Sequence, residues 1–337
     1  MDQNRRIRTD PDDIRSSVER FLTLTGKKQY VEIAYYGGNF LGIEKKRMIS
    51  LLDASVRLID EGMIHGIRFS TRPDTIDSES LHLLKEYPIS TIEIGVQSLN
   101  DYALTQSQRG HSAENSCHAL ELLKTHGYRF GVQLMIGLPG DSEAESFKTA
   151  EKVSLFSPEF VRIYPTVILK GSLLATWYAK GMYNPLTLDQ CISHVKHLFL
   201  FFKRRDIPVI RMGLQASETL IFGKDLIAGP FHPAFGHLVL SEIVLDQIIS
   251  HLGERIPSPR KLCIRTHPNN LSLVKGMGSQ NIKKLRNLLD LQSVETISDL
   301  SCPLDRLVID QCDEPVFLAT AFDGVREDGL RSAPSAP

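Results

Sequence analysis

Cysteine is scarce and scattered in this chain. Its 337 residues hold five, Cys117, Cys191, Cys263, Cys302 and Cys312, an odd number without framework spacing. That excludes a disulfide scaffold and makes a reducing cytoplasm the expected compartment. Long apolar runs are missing too: none approaches the roughly 20 residues that cross a membrane. The opening residues, MDQNRRIRTDPDD, are polar and charged, so no secretory signal is expected there. Net charge is nearly absent, at −1. Hydrophobic residues make up 42% and charged residues 23%, an ordinary globular composition long enough for one large domain and a smaller one.

The weak net charge hides an asymmetry. From Arg255 to Arg286 there are eight Lys or Arg residues and no acid, whereas from Asp299 to Asp328 there are eight acids against Arg306 and Arg326. A local basic face can bind phosphates on a neutral molecule, and it can equally be a solvated face neutralised by the acidic stretch.

What is present is a series of strand-end motifs: AYYGGNF (Ala34–Phe40), FSTRPD (Phe69–Asp74), EIGVQSLND (Glu93–Asp101), QLMIGLPGD (Gln133–Asp141) and VRIYPT (Val161–Thr166). Each β-like run ends in Gly, Pro or polar residues and a helical pattern follows. This alternation predicts a parallel (β/α) barrel whose working edge is the set of loops after the strands. Helices are predicted after Asp10-Pro11, over 44–61 burying Met48, Leu51, Leu52, Val56 and Ile59, over 112–126, after Ser142, and over 188–205. The Ser142–Glu145 spacing predicts a reciprocal capping box. Residues 171–187 read as irregular, and beyond Pro257 the pattern predicts a small α/β appendix with strands near 262–265 and 307–309.

Candidate site residues lie at the strand ends. Gly37-Gly38 would let backbone groups approach a ligand, or simply make a tight turn. Asn39 could offer a carbonyl oxygen. Arg72 could fork an anion or brace the loops through Asp74 or Glu93. Alternation places Glu93, Gly95 and Gln97 on one face of their strand, and Gln133, Met135 and Gly137 on one face of the next. A buried Glu93 needs a partner. Arg162 and Tyr164 end the last strand, His111 is a rim candidate, and Ser98 closes the third run. Cys191, His194 and His197 look metal-like, but steps of three on a helix precess by about 60°, so they do not converge on one ion. His232 and His237 read as structural histidines.

In order and wording the motifs from Met1 to about Ser241 resemble radical S-adenosylmethionine (SAM) enzymes, specifically relatives of the elongator catalytic subunit. The series is specific, though each motif alone is weak. The resemblance implies an incomplete (β/α)6-type barrel: a core over residues 1–205 missing its first strand and cluster loop, an α/β extension over 206–330, and a disordered tail over 331–337. It implies SAM as cofactor, held by Gly37, Gly38, Asn39, Arg72, Glu93, Gln97, Gln133, Gly137, Arg162 and Tyr164. It implies a [4Fe–4S] cluster on a three-cysteine loop, an electron donor or reductase, and RNA as substrate, with Arg255–Arg286 as its contact. No membrane partner is implied. No cysteine pair here has the family's gaps, and no counterpart of the acetyltransferase domain of elongator relatives is recognisable. The expected reading is therefore an N-terminally truncated radical SAM enzyme, inactive alone. A SAM- or RNA-binding pseudoenzyme and a porphyrinogen oxidase-like activity are the alternatives.

Overall fold

The computed structural model describes residues 11–25, 30–215, 220–253, 260–310 and 315–319. Asp10, Gly26, Arg255, Cys312 and the 331–337 tail lie outside these. The chain divides into two compact units, with the boundary in the sequence between Asn184 and Pro185.

The first unit runs α1 (Pro11–Thr25), β1 (Glu32–Tyr35), α2 (Lys45–Asp60), β2 (Gly66–Thr71), α3 (Ser78–Leu84), β3 (Ile89–Gln97), α4 (Asp101–Gln106), α5 (Ala113–Thr125), β4 (Phe130–Ile136), α6 (Glu143–Ser154), β5 (Phe160–Pro165), β6 (Ile168–Leu169) and α7 (Leu173–Ala179). Strands β1 to β5 are parallel neighbours in sequence order, as successive βα units require. This is a partial (β/α) barrel. Ile67, Phe69, Ile92, Ile94, Val132, Leu134, Val161 and Ile163 are fully buried on one face. The alternate residues, among them Arg68, Glu93, Gln133 and Arg162, occupy the other. The sheet thus has an apolar face and a polar, lumen-type face.

Three local expectations change. In α2 the buried stripe is Met48, Leu51, Leu52, Ala54, Ser55 and Leu58, with Val56 and Ile59 only half-buried. The Tyr35 hydroxyl bonds Leu51 O at 3.0 Å and Ser55 Oγ at 2.7 Å, which draws a serine inward and turns the helix about its axis. At α6 only half of the capping box forms. Ser142 Oγ accepts from Glu145 N–H at 3.2 Å, but Glu145 Oε1 takes Lys148 Nζ at 2.6 Å, and the Ser142 N–H donates to Asp141 Oδ1 at 2.9 Å instead. The stretch 171–187 contains α7, capped where Ser172 Oγ accepts from Ala175 N–H at 3.1 Å.

The second unit comprises α8 (Leu188–Lys203), β7 (Val209–Met212), β8 (Leu226–Ala228), α9 (Phe235–Leu252), β9 (Lys261–Thr266), α10 (Leu271–Lys275), α11 (Gln280–Leu288), β10 (Ser293–Ser298), β11 (Arg306–Ile309) and β12 (Val316–Phe317). A four-stranded sheet, ordered β10-β9-β11-β12, pairs β9 with β10 in parallel and is antiparallel elsewhere. Leu262, Ile264, Leu307 and Ile309 pack with Val244, Leu245 and Ile248 of α9, Val274 of α10 and Leu285 of α11. Because α9 contacts α8, α10, α11, β7 and β12, it is apolar on nearly every side.

Gly131 of β4 tests the packing of the first unit. A methyl group there would collide with the ring of Phe160, which is itself buried. Gly131→Ala is expected to cost about 2 kcal/mol or more by overpacking, read from denaturant unfolding. Gly62→Ala, at φ +70 with open space around it, should cost only about 1 kcal/mol of backbone strain.

Candidate functional site

The polar face converges on Glu93, which is fully buried. Its Oε1 accepts from the Tyr36 hydroxyl at 2.7 Å, Arg162 Nη2 at 2.9 Å and Arg68 Nη1 at 3.5 Å. Its Oε2 accepts from Gln133 Nε2 at 2.9 Å. Arg68 also donates to Glu32 Oε2 through Nη2 at 2.8 Å and Nε at 3.1 Å. Arg162 donates to the hydroxyls of Tyr36 at 3.2 Å and Tyr164 at 3.5 Å. Phe160 lies under both guanidinium groups, 5.5 Å from Arg68 and 5.8 Å from Arg162.

Two carboxylates and two guanidinium groups make this floor charge-balanced. Burial and the adjacent Glu93 push the Tyr36 hydroxyl up to about 12, so it is a donor throughout the physiological range. Burial disfavours the Arg162 cation, but Glu93, Tyr36 and Tyr164 outweigh it and hold its pKa above the ordinary value. Of the sequence candidates, Glu93, Gln133, Arg162 and Tyr164 are therefore brought together. Tyr36, Arg68 and Glu32 join them. The period-2 alternation that marks Glu93 also puts Glu32 of β1, and Tyr36 just after it, on one side, and Arg68 on the same side of β2.

The loops above this floor are tied to one another. Asn39 Oδ1 accepts from Thr71 Oγ1 and Thr75 Oγ1, each at 2.9 Å, so the carbonyl is committed to bracing the loop after β1 against the loop after β2. Arg72 forks Asp74 through two bonds of 2.8 Å and donates to Gly110 O at 2.9 Å, which links the loop after β2 to the segment after α4. His111 Nε2 donates to Val96 O at 3.1 Å, and burial holds its pKa below the ordinary value. Gly37 and Gly38 are exposed, and Gly38 needs its hydrogen side chain because φ is +93. Gln97 has φ +65 where the β3–β4 register shifts, and its side chain lies over Gly95, where a Cβ would stand 2.6 Å from Nε2. Gly137 O accepts the Tyr183 hydroxyl at 2.6 Å.

Arg109 stands apart. Its guanidinium has no carboxylate partner among the described residues: Nη2 lies 2.6 Å from Met135 Sδ and the buried Nε has no hydrogen-bond partner. Burial pulls its pKa below the ordinary arginine value. Met135 is on the polar face of β4, so a half-buried cation without a carboxylate partner among the described residues sits at the carboxyl edge of the sheet.

The other candidates disperse. On α8, Cys191 and His194 are buried while His197 is exposed, and burial pushes the Cys191 thiol up to about 12. His232 Nδ1 accepts from Ala234 N–H at 3.0 Å, a local turn. No group of three His, Cys, Asp or Glu side chains suited to a metal occurs among the described residues. Cys117 lies on α5, Cys191 on α8, Cys263 on β9 and Cys302 between β10 and β11. These cysteines do not fit an iron–sulfur cluster.

Glu93→Gln is expected to destabilise the protein by about 3–5 kcal/mol, because two buried guanidinium groups lose their shared counter-charge. Glu159→Gln, which breaks the exposed pair with Arg129, should cost below about 1 kcal/mol. Denaturant titration of both variants checks the difference.

Residues 3–153 match the family model of the radical SAM superfamily, and residues 158–244 match the radical SAM C-terminal domain. An uncharacterised protein of Methanocaldococcus jannaschii is 33% identical over 173 residues, covering 50% of this chain and 52% of the relative. A tRNA uridine(34) acetyltransferase of Dehalococcoides mccartyi is 28% identical over 166 residues, covering 46% and 36%. Elongator complex protein 3 of Saccharomyces cerevisiae is 26% identical over 233 residues, covering 60% and 42%. The chain thus spans about half or less of the length of these curated relatives. Among solved structures, Elp3 of Methanocaldococcus infernus with an N-terminal deletion shares the fold, with TM-score 0.59 and 22% identity over 72% of this chain and 59% of that one. The chain belongs to the radical SAM superfamily, in its elongator-like branch.

Proposed function

We propose that the carboxyl edge of the β1–β5 sheet binds SAM and that the protein works on RNA. The observation that carries the first half is Arg109. A half-buried guanidinium whose enclosed Nε has no acceptor is costly, and the carboxylate of an amino-acid group would satisfy it. The exposed backbone at Gly37-Gly38 would receive the ammonium group, since Asn39 Oδ1 is already engaged. Gln97, Gly137 and Tyr164 line the remaining strand ends and would contact the nucleoside. Glu93, Gln133 and Arg162 would not hold the ligand directly; they set the rigid, neutral floor beneath it.

RNA as the target is supported by the relatives named as tRNA uridine(34) acetyltransferases. In radical SAM enzymes a [4Fe–4S] cluster supplies the electron that cleaves SAM. The described cysteines do not fit that cluster, so no electron-transfer step is assigned to them. A second reading, favoured by that misfit, is a SAM- and RNA-binding protein that does not itself generate the radical. No helix among the described residues is long and apolar enough to cross a membrane, and we place the protein in the cytoplasm, with a reductase as partner only if a cluster is supplied.

Equilibrium dialysis with labelled SAM tests the site. The unaltered chain is expected to bind, and Arg109→Gln to weaken binding about tenfold or more, as loss of a charge-assisted contact implies. Arg129→Gln, on the surface, should bind as the unaltered chain does. Equal affinity for the Arg109→Gln and unaltered proteins overturns the assignment.

A further inference from the structure

Residues beyond 244 lie outside both family matches, and they include a long stretch with positive charge and no acid. We propose that α10, α11 and the hairpin joining them form a docking surface for the sugar–phosphate backbone of RNA. The choice of RNA rests on the function proposed above; the surface itself rests on the following geometry.

No Asp or Glu occurs from Lys261 to Leu289. The structure sorts the basic residues there into two groups. Arg265 is neutralised by Asp310, with bonds of 2.7 and 3.1 Å, and Lys284 by Glu242 at 2.7 Å. Lys261, on β9, and Lys275, Lys283 and Arg286 have no ion pair among the described residues; the last three lie on α10 and α11. Lys283 and Arg286 are exposed and stand three positions apart, one turn along the outer side of α11, while Asn281 and Leu285 hold the inner side. Lys275 closes α10 at the entrance to the hairpin.

The hairpin is built for close approach. Gly276, Gly278 and Ser279 have φ of +69, +56 and +59, and Met277, Gly278 and Ser279 are exposed. Two glycines at this tip leave backbone rather than side chain at the surface. A Cβ on Gly276 would stand 2.9 Å from the Asn281 side chain. Asn281 in turn anchors the hairpin: its Nδ2 donates to Ser241 O at 2.9 Å, Ser241 Oγ at 3.0 Å and Leu273 O at 3.2 Å, and Ser241 Oγ donates to Leu273 O at 2.7 Å. Both residues are buried. The surface is therefore held in one conformation before any partner arrives, which lowers the ordering cost of binding.

The charge pattern selects the partner. Three cations on separate positions of a segment that contributes no acid of its own, the nearby Glu242 being spent on Lys284, do not form a compact cluster for one small anion. They match a ligand whose negative charges repeat along a chain, as phosphodiesters do, and such contacts position a polynucleotide without reading its sequence.

The test uses the full chain and a short RNA stem–loop, with Kd measured over a salt series. Lys283→Glu combined with Arg286→Glu is expected to weaken binding tenfold or more at physiological salt, and to reduce the slope of log Kd against log salt by about 2. Lys45→Glu combined with Arg129→Glu, a control of equal charge change in the first unit, should leave the slope unaltered. Thermal unfolding establishes that both variants fold, and SAM dialysis should be the same for both. If the unaltered chain binds RNA and the α11 variant retains its affinity and slope, the surface is refuted while the RNA reading stands. If the unaltered chain binds no RNA, both fail. Equal loss in the control variant, or equally tight binding of a DNA duplex of the same length, also overturns the assignment.

Discussion

A buried carboxylate organises the first unit. Glu93 lies at the middle of a parallel sheet, away from water, and an isolated charge there would be untenable. It is tolerable only because residues at or on four other strands deliver donors to it: Tyr36 after β1, Arg68 from β2, Gln133 from β4 and Arg162 from β5. The polar network is thus a lock on register. A one-residue slip of any strand would turn its contribution to the apolar face. Phe160, stacked beneath both guanidinium groups and over Gly131, ties this lock to the packing of the sheet.

Because the floor consumes its own charges, donors that are not already spent lie at the rim. There the side chains divide by what they have already bonded. Asn39 and Arg72, which look like ligand-binding groups, are occupied in stitching successive loops together. Arg109, between α4 and α5, has Nη2 against the Met135 sulfur and a buried Nε without an acceptor. Residues that brace the loops and residues with unspent donors are of the same chemical kind, and only their partners separate them. The second unit repeats the division: Arg265 and Lys284 are spent on acids, whereas Lys283 and Arg286 are not.

Much of the element order was legible from residues 30 to 165. β4 was legible as a continuous apolar run, and α5 from Ser112 and Gly127. Strand-end Gly and Pro marked the working edge. Failures fell where a local signal had a competitor. The Ser142–Glu145 spacing suggested a reciprocal cap, but Asp141 and Lys148 offered nearer partners. α7 is a short helix without a single buried side chain, so it has little hydrophobic period to detect. β10 is half-exposed along its length and lacks the apolar run that revealed β4. Arg68 and Tyr36 carried the alternation signal, yet nothing local to them identifies Glu93 as the shared acceptor.

The sequence by itself determined the βα rhythm, the polar and apolar faces of the strands and the concentration of glycine at their carboxyl ends, because periodicity and backbone permissiveness are properties of adjacent residues. It also determined that positive charge would gather between Lys261 and Arg286. Only the tertiary structure decided which of those charges are neutralised and which arginine at the rim is free. An ion pair such as Arg162–Glu93 joins residues from separate βα units, and its existence depends on how strands pack side by side rather than on what neighbours them along the chain.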